Sequence, residues 1–181
     1  MMDQQLLQRA RAIRLLICDV DGVLTDGSVI LGNNGEELKA FNIKDGFGIK
    51  ALQKFGVEVA LITGRQSKLV ETRARELGIS QVFQGNTDKR GAFNQLLQQL
   101  NLTPMQVAHI GDDLPDLPLF MRVGLAVAPS DGHPWMRERA HFVTVAEGGR
   151  GCVRELADLI LHAQGHVDAL LAQYDAEPGR A

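Results

Sequence analysis

Short apolar runs alternate with amphipathic stretches along this chain. The runs are 15-LLIC-18, 57-VEVALIT-63, 81-QVFQ-84, 107-VAHI-110 and 123-VGLAVA-128. Between them, apolar residues recur at helical spacing, which predicts helices over about 46–55, 66–78, 88–101 and 113–121. Leu6, Leu7, Ala10 and Ile13 place one more helix ahead of the first run. Strands that alternate with helices pack as a parallel sheet covered on both sides. The predicted class is α/β, a Rossmann-like parallel sheet with helices on both faces, in a single domain over residues 1–181. A C-terminal helix and tail are expected over about 150–181, and the final AQYDAEPGRA reads as a frayed end.

One segment breaks the alternation. From Asp26 to Asp45 there is no helical period; 28-SVIL-31 and 36-EELKAF-41 instead flank 32-GNNG-35. Glycine and asparagine at a turn supply positive φ, so the stretch over about 27–42 is predicted to be a β-hairpin flap. It follows the first strand directly and projects from the same sheet edge.

Composition narrows the function classes. Hydrophobic residues make up 45 % and charged residues 23 % of 181, as in an ordinary globular protein. A net charge of −3 leaves no excess of Lys and Arg for a nucleic-acid backbone, and 5 % aromatics offer few stacking platforms. No apolar run approaches the ~18 residues of a membrane span, and MMDQQLLQRARAIR lacks the apolar centre of a signal peptide. Cys18 and Cys152 lie far apart, outside any CxxC pattern, which suits a reducing compartment, most simply the cytoplasm.

The chemistry is at the strand ends. The first strand runs into Asp19 and, two places on, Asp21. Thirteen aspartates give roughly one Asp-x-Asp by chance in a chain of this length, so the pair alone says little. Its place says more: α/β sheets bind ligands at the carboxyl ends of their strands, and Gly22 lets the backbone turn at once. Two clustered carboxylates repel unless a cation joins them. The next strand ends in Thr63-Gly64-Arg65, Lys89 opens a later helix, and 111-GDDLPDLP-118 follows the fourth run. Carboxylates for a hard divalent ion such as Mg²⁺, beside a hydroxyl and cations for phosphate, suit phosphoryl transfer.

Together, 19-DVDGVLTDG-27, 60-ALITGR-65, Lys89 and 110-IGDDLPDLP-118 resemble the haloacid dehalogenase-like superfamily of phosphohydrolases, whose four motifs occur in this order. The resemblance implies Asp19 as nucleophile and metal ligand, and Asp21 as general acid/base and metal ligand through its carbonyl. Thr63 and Lys89 would hold the phosphate, and Asp112 would be the acidic metal ligand, with Asp113 or Asp116 in support. The gaps between motifs leave no room for a cap domain. A narrower resemblance, through 28-SVILGNNGEELKAFNIKDGFGIK-50 and 147-EGGRGCVRELADLIL-161, is to the 3-deoxy-D-manno-octulosonate 8-phosphate phosphatase family of lipopolysaccharide synthesis. It implies a Mg²⁺-dependent homotetramer in which neighbouring hairpins and a C-terminal tail close the site over a sugar acid phosphate. It also implies substrate contacts from Asp21, Lys89, the loop Asn42, Ile43, Lys44, Asp45 and Gly46, and from Lys50, Arg65 and Arg73. Arg65 and Arg73 are eight residues apart, about two helical turns, and can share a face. At Lys50 the family often carries arginine; lysine keeps the charge without the planar fork.

Plainer roles compete at several positions. His109 sits in an apolar run as a core histidine would, Asp26 can cap the turn after the first strand, and Cys18 can simply pack. The run 148-GGRG-151 is either a flexible helix entry or an anion nest. Two further functions stay open: a phosphatase for a nine-carbon keto sugar acid phosphate, and a non-catalytic oligomerisation domain of the same fold. The clustered acids count against the second, since a scaffold has no use for them.

Overall fold

A computed structural model describes residues 3–175. Six strands form one parallel sheet in the order β5-β4-β1-β6-β7-β8: β5 (Gln81–Phe83), β4 (Glu58–Ile62), β1 (Leu15–Cys18), β6 (Val107–Ile110), β7 (Leu125–Ala128) and β8 (Phe142–Val143). The strand order reverses at β1, which pairs with both β4 and β6, Cys18 lying opposite Leu61 and Ile110. That reversal opens the crevice where such sheets bind ligands.

Alternation along the strands sorts side chains to two cores. Leu16, Cys18, Val59, Leu61, Ala108 and Ile110 face α1 (Gln4–Arg11), α2 (Ile43–Lys54), α3 (Lys68–Leu77) and α7 (Cys152–Ala163). Leu15, Ile17, Ala60, Ile62 and Val107 face α4 (Lys89–Leu100), α5 (Leu117–Phe120) and α6 (Pro134–Arg137). Burial on both sides explains why the strands read as unbroken apolar runs instead of alternating ones. The helices on both faces and the parallel sheet are those expected, and among the described residues no cap domain interrupts them.

Several expectations shift. The stretch 42-NIKDG-46 is not a loop: Asn42 is the N-cap of α2, accepting from the Lys44 amide at 2.8 Å, and residues 43–46 are its first turn. The hairpin is shorter than its sequence suggests, with only β2 (Ile30–Leu31) against β3 (Glu37–Leu38). Its turn takes positive φ at Gly35 alone and not at either asparagine. The helix expected over 113–121 is a 3₁₀ turn (Leu114–Asp116) followed by α5, because Pro115 and Pro118 each sit in the first turn of a short helix. The C-terminal region holds two helices, α7 and α8 (Val167–Asp175), separated at Gly165. Residues 172–175 of the expected frayed end are thus helical, and 176–181 lie outside the described residues. The short α6 and β8 carry too few residues to show a period and were not anticipated.

Candidate active site

The sheet places its acids side by side at one edge. Asp19 follows β1, and its amide donates to the Ile110 carbonyl at 3.1 Å, tying the first motif to the end of β6. Asp112 follows β6 two residues later. Gly22, at φ +86°, passes so close to Asp112 that any Cβ there would overlap its carboxylate. Oxygen atoms of Asp19, Asp112 and Asp116 all lie within 4.8 Å of one another.

A buried cation partly balances them. Lys89, first residue of α4 and 1 % exposed, donates to Asp116 Oδ1 at 2.6 Å and lies 2.9 Å from Asp19 Oδ1. Asp88 fixes this geometry from below as N-cap of α4. His109 reaches the same carboxylate: its Nε2 is 3.0 Å from Asp116 Oδ1, and its Nδ1 is 3.1 Å from the Ile17 carbonyl. It is a core histidine, as expected, yet it also holds a site acid. Burial pulls the Lys89 ammonium down, but Asp116 and Asp19 outweigh this and hold it above its usual value. Burial likewise works to raise Asp116, and the His109 and Lys89 contacts keep it below the usual carboxylate range.

The other two acids are undercompensated. Burial, with Asp116 nearby, pushes Asp19 up to about 6 despite Lys89. Burial and the Asp19 and Asp116 charges push Asp112 up to about 7. Asp116 Oδ2 is buried without a hydrogen-bond partner among the described residues. Three carboxylates converging on one point, with an unsatisfied buried oxygen, fit a hard, oxygen-preferring divalent cation such as Mg²⁺. The carboxylates that cluster are therefore Asp19, Asp112 and Asp116. Asp113, the other residue considered for support, is exposed and accepts from the Leu114 amide.

Asp21 lies outside this cluster and has partners of its own. Its carboxylate accepts from Lys39 of the hairpin, and its Oδ2 is 4.0 Å from Arg65 Nε. Glu37 bridges the same two cations, 3.4 Å from Lys39 Nζ and 2.7 Å from Arg65 Nη2. Thr63 is buried just beyond β4, its hydroxyl accepting from the Arg65 amide at 3.3 Å. Arg65 precedes α3, so it does not share a helical face with Arg73 as its spacing suggested.

The remaining expected substrate residues form a separate group. Arg73 lies against Gly46, 3.5 Å from the Asn42 carbonyl, and pairs with Glu76 at 3.2 Å. Ile43 and Lys44 are exposed in the first turn of α2, and Lys50 borders a cleft between α2 and α8. Asp45 turns inward: it is 1 % exposed, and its Oδ1 accepts from the Arg154 amide at 2.8 Å, capping α7. Burial lifts its carboxyl above the usual range although the amides of Arg154, Gly151 and Val153 pull the other way. The structure thus brings Asp19, Lys89 and Asp112 together, sets Asp21, Thr63 and Arg65 around them, and gives the Asp45 side chain to a helix end.

A family profile described as haloacid dehalogenase-like hydrolase matches residues 79–156, which include Lys89 and Asp112 to Asp116. The chain is 55 % identical over 162 residues to a 3-deoxy-D-manno-octulosonate 8-phosphate phosphatase of Yersinia pestis, covering 90 % of this chain and 87 % of that one. It belongs to this phosphatase family. A crystal structure of a Yersinia pestis 3-deoxy-D-manno-octulosonate 8-phosphate phosphatase superposes with a TM-score of 0.90 at 54 % identity, covering 91 % of this chain and 89 % of that one. The Moraxella catarrhalis phosphatase, solved with magnesium, phosphate and the sugar acid, gives 0.92 at 42 % identity over 94 % and 98 % of the two chains.

Within the haloacid dehalogenase-like frame, sequence reasoning missed Glu37, Lys39 and the second role of His109. A signal existed for the first two. In 36-EELKAF-41, Glu37 and Lys39 are two apart on a strand and must point to one side. Here that charged side meets the Asp-x-Asp motif through Lys39 and Asp21. For His109, only the odd polar residue in the run 107-VAHI-110 was visible, and its partner seven residues on was not.

Proposed function

We propose that the protein is a Mg²⁺-dependent phosphatase that hydrolyses 3-deoxy-D-manno-octulosonate 8-phosphate to the free sugar acid and phosphate, in lipopolysaccharide biosynthesis. The observation that carries this is the convergence of Asp19, Asp112, Asp116 and Lys89 at the strand ends of a chain so close to that family.

The residues divide the reaction between them. An Asp19 oxygen attacks phosphorus and the bond from phosphorus to the sugar oxygen breaks, leaving an aspartyl phosphate. Asp21 gives its proton to the departing sugar oxygen, then takes one from the water that attacks the aspartyl phosphate. That second step breaks the bond to Asp19 and releases phosphate, so each group returns to its starting state. Lys89, held between Asp19 and Asp116, presents a fixed positive charge to the phosphoryl oxygens, and the Thr63 hydroxyl is assigned to the same oxygens. Bound Mg²⁺ supplies charge neutralisation for the acid cluster and the phosphoryl group.

Arg65 and Arg73, with Asn42, Ile43, Lys44, Gly46 and Lys50, are assigned to the sugar acid, from this chain or across an interface, while the buried Asp45 side chain serves α7. The exposed Ile30, Leu31 and Leu38 of the hairpin, with the exposed Ile43 at the start of α2, favour a homotetramer in which neighbouring hairpins and the C-terminal tail close the site. No helix among the described residues is long and apolar enough to cross a membrane. Two free, buried cysteines favour a reducing cytoplasm. Phosphate release from a panel of sugar phosphates, with Mg²⁺ and then with EDTA, tests the reading. Turnover that survives EDTA, or an absence of activity on the eight-carbon ester, would overturn it.

A further inference from the structure

We infer that Lys39, on the hairpin, is the positioning residue of Asp21 and makes proton transfer to the leaving group depend on the hairpin. The inference rests on the phosphatase reading above. Its starting point is an ammonium in an unexpected place. Leu38 and Ala40 on either side are exposed, yet the Lys39 side chain is 1 % exposed. A lysine is rarely covered so fully unless its charge is paired.

Its partners explain the burial. Lys39 donates to Asp21 Oδ1 and lies 3.4 Å from Glu37 Oε1. Glu37, on the same side of the strand, holds Arg65 at 2.7 Å. A continuous ladder therefore runs from the loop after β4, across the hairpin, to the loop after β1. It pins one oxygen of Asp21 and leaves Oδ2 without so close a partner, Arg65 Nε being 4.0 Å away. Asp21 itself sits on a loop and is partly exposed, so little else in the structure fixes its carboxylate.

An acid that must deliver a proton needs geometry first, within hydrogen-bond reach of the departing oxygen. Lys39 donates to Asp21 itself, so its influence passes through Asp21. The proton matters most for an alkoxide leaving group such as the sugar oxygen. Nitrophenolate leaves readily without one. The dependence on Lys39 must then follow the leaving group and disappear once Asp21 is removed, a combination that neither a purely structural role nor a substrate contact predicts.

The test compares Lys39→Met and wild type on the sugar acid 8-phosphate and on p-nitrophenyl phosphate, with Mg²⁺ present. The expected result is a loss in kcat/KM, which reports the phosphoryl-transfer step and not the later attack of water, of roughly ten- to a hundredfold on the sugar ester and less than about threefold on the aryl ester. In an Asp21→Asn background the Lys39→Met change should add nothing further. Equal losses in kcat/KM on both esters, an unchanged kcat/KM on the sugar ester, or a further loss from Lys39→Met in the Asp21→Asn background would each overturn the assignment. Should Lys39→Met fail to fold by circular dichroism, Lys39→Gln is read by the same ratio of the two kcat/KM values. If wild type ignores the eight-carbon ester but cleaves another alkyl phosphate, the substrate assignment fails and the Lys39 comparison proceeds on that ester.

Discussion

The two walls of the crevice are built on opposite plans. On one side, Asp19, Asp112, Asp116 and Lys89 stand on the ends of β1 and β6 and the start of α4, among the most buried parts of the molecule. On the other, Asp21 meets a hairpin with a two-residue ladder whose Leu31 is 69 % exposed. A cluster of like charges has to be held by backbone that cannot relax away from it, and central strands provide that. Groups that admit a substrate and release a product need the opposite, a segment with few apolar contacts and low local stability. The acids that repel are on the rigid wall, and the acid that must exchange protons with ligands is on the adaptable one.

The sharpest contrast comes from the rigid side. Asp19→Asn should reduce phosphate release to background, because the nucleophile is lost. The same substitution removes an undercompensated charge, so the melting temperature in EDTA should stay level or rise; a large fall would show that Asp19 stabilises the fold.

Lys89→Met comes next. It strands Asp19 and Asp116 without their cation, and breaking such a buried pair costs about 3–5 kcal/mol. Urea unfolding should show that loss, along with absent turnover; a variant as stable as wild type would mean the ammonium is dispensable to the floor.

The pH response is smaller and has a definite sign. Asp19 and Asp112 are pushed up to about 6 and about 7. Below their ordinary carboxyl values, near pH 4, the two are protonated folded or unfolded. Between about pH 4 and 7 the metal-free folded protein binds more protons than the unfolded chain, so its stability falls as pH rises through that window. Mg²⁺ displaces those protons, and the melting-temperature gain it gives should grow from about pH 5.5 to 7.5. A gain that shrinks with pH would contradict the placement of the metal among these acids.

The hairpin should be the most tolerant. Leu31→Ser should change the stability of a single chain by no more than ~0.5 kcal/mol. Sedimentation is the informative readout there. A shift to smaller species would place the exposed edge in a contact between chains, and an unchanged profile would remove it from one.

What could be read in advance follows the same division. The central strands announced themselves because burial on both faces forces unbroken apolar runs, and Asp19, Thr63 and Asp112 could be placed by counting from where those runs end. Asp45 misled, since a carboxylate in a motif looks the same whether it meets a ligand or caps α7. Arg65 and Arg73 misled because their spacing fits a helix that begins only at Lys68. The choice of Asp116 over Asp113 needed the 3₁₀ turn that Pro115 sets, which turns one acid inward and leaves the other in solvent. The His109 contact with Asp116 spans seven residues through that same turn and leaves no periodic trace.

The loop 148-GGRG-151 carries a consequence for how the chain is made. Gly149 donates to the Val23 carbonyl at 2.8 Å, and a Cβ on Gly148 would overlap the Gly22 carbonyl. Backbone therefore lies directly on backbone between the nucleophile's loop and a segment more than a hundred residues later. During synthesis from the N-terminus the first motif emerges early and can meet the end of β6 first, yet the backbone at Gly22 and Val23 finds its last partner only when about residue 150 has left the ribosome. Assembly of the catalytic loop is among the last events in the birth of the molecule, and a chain released before that point carries the nucleophile without the support that shapes its turn.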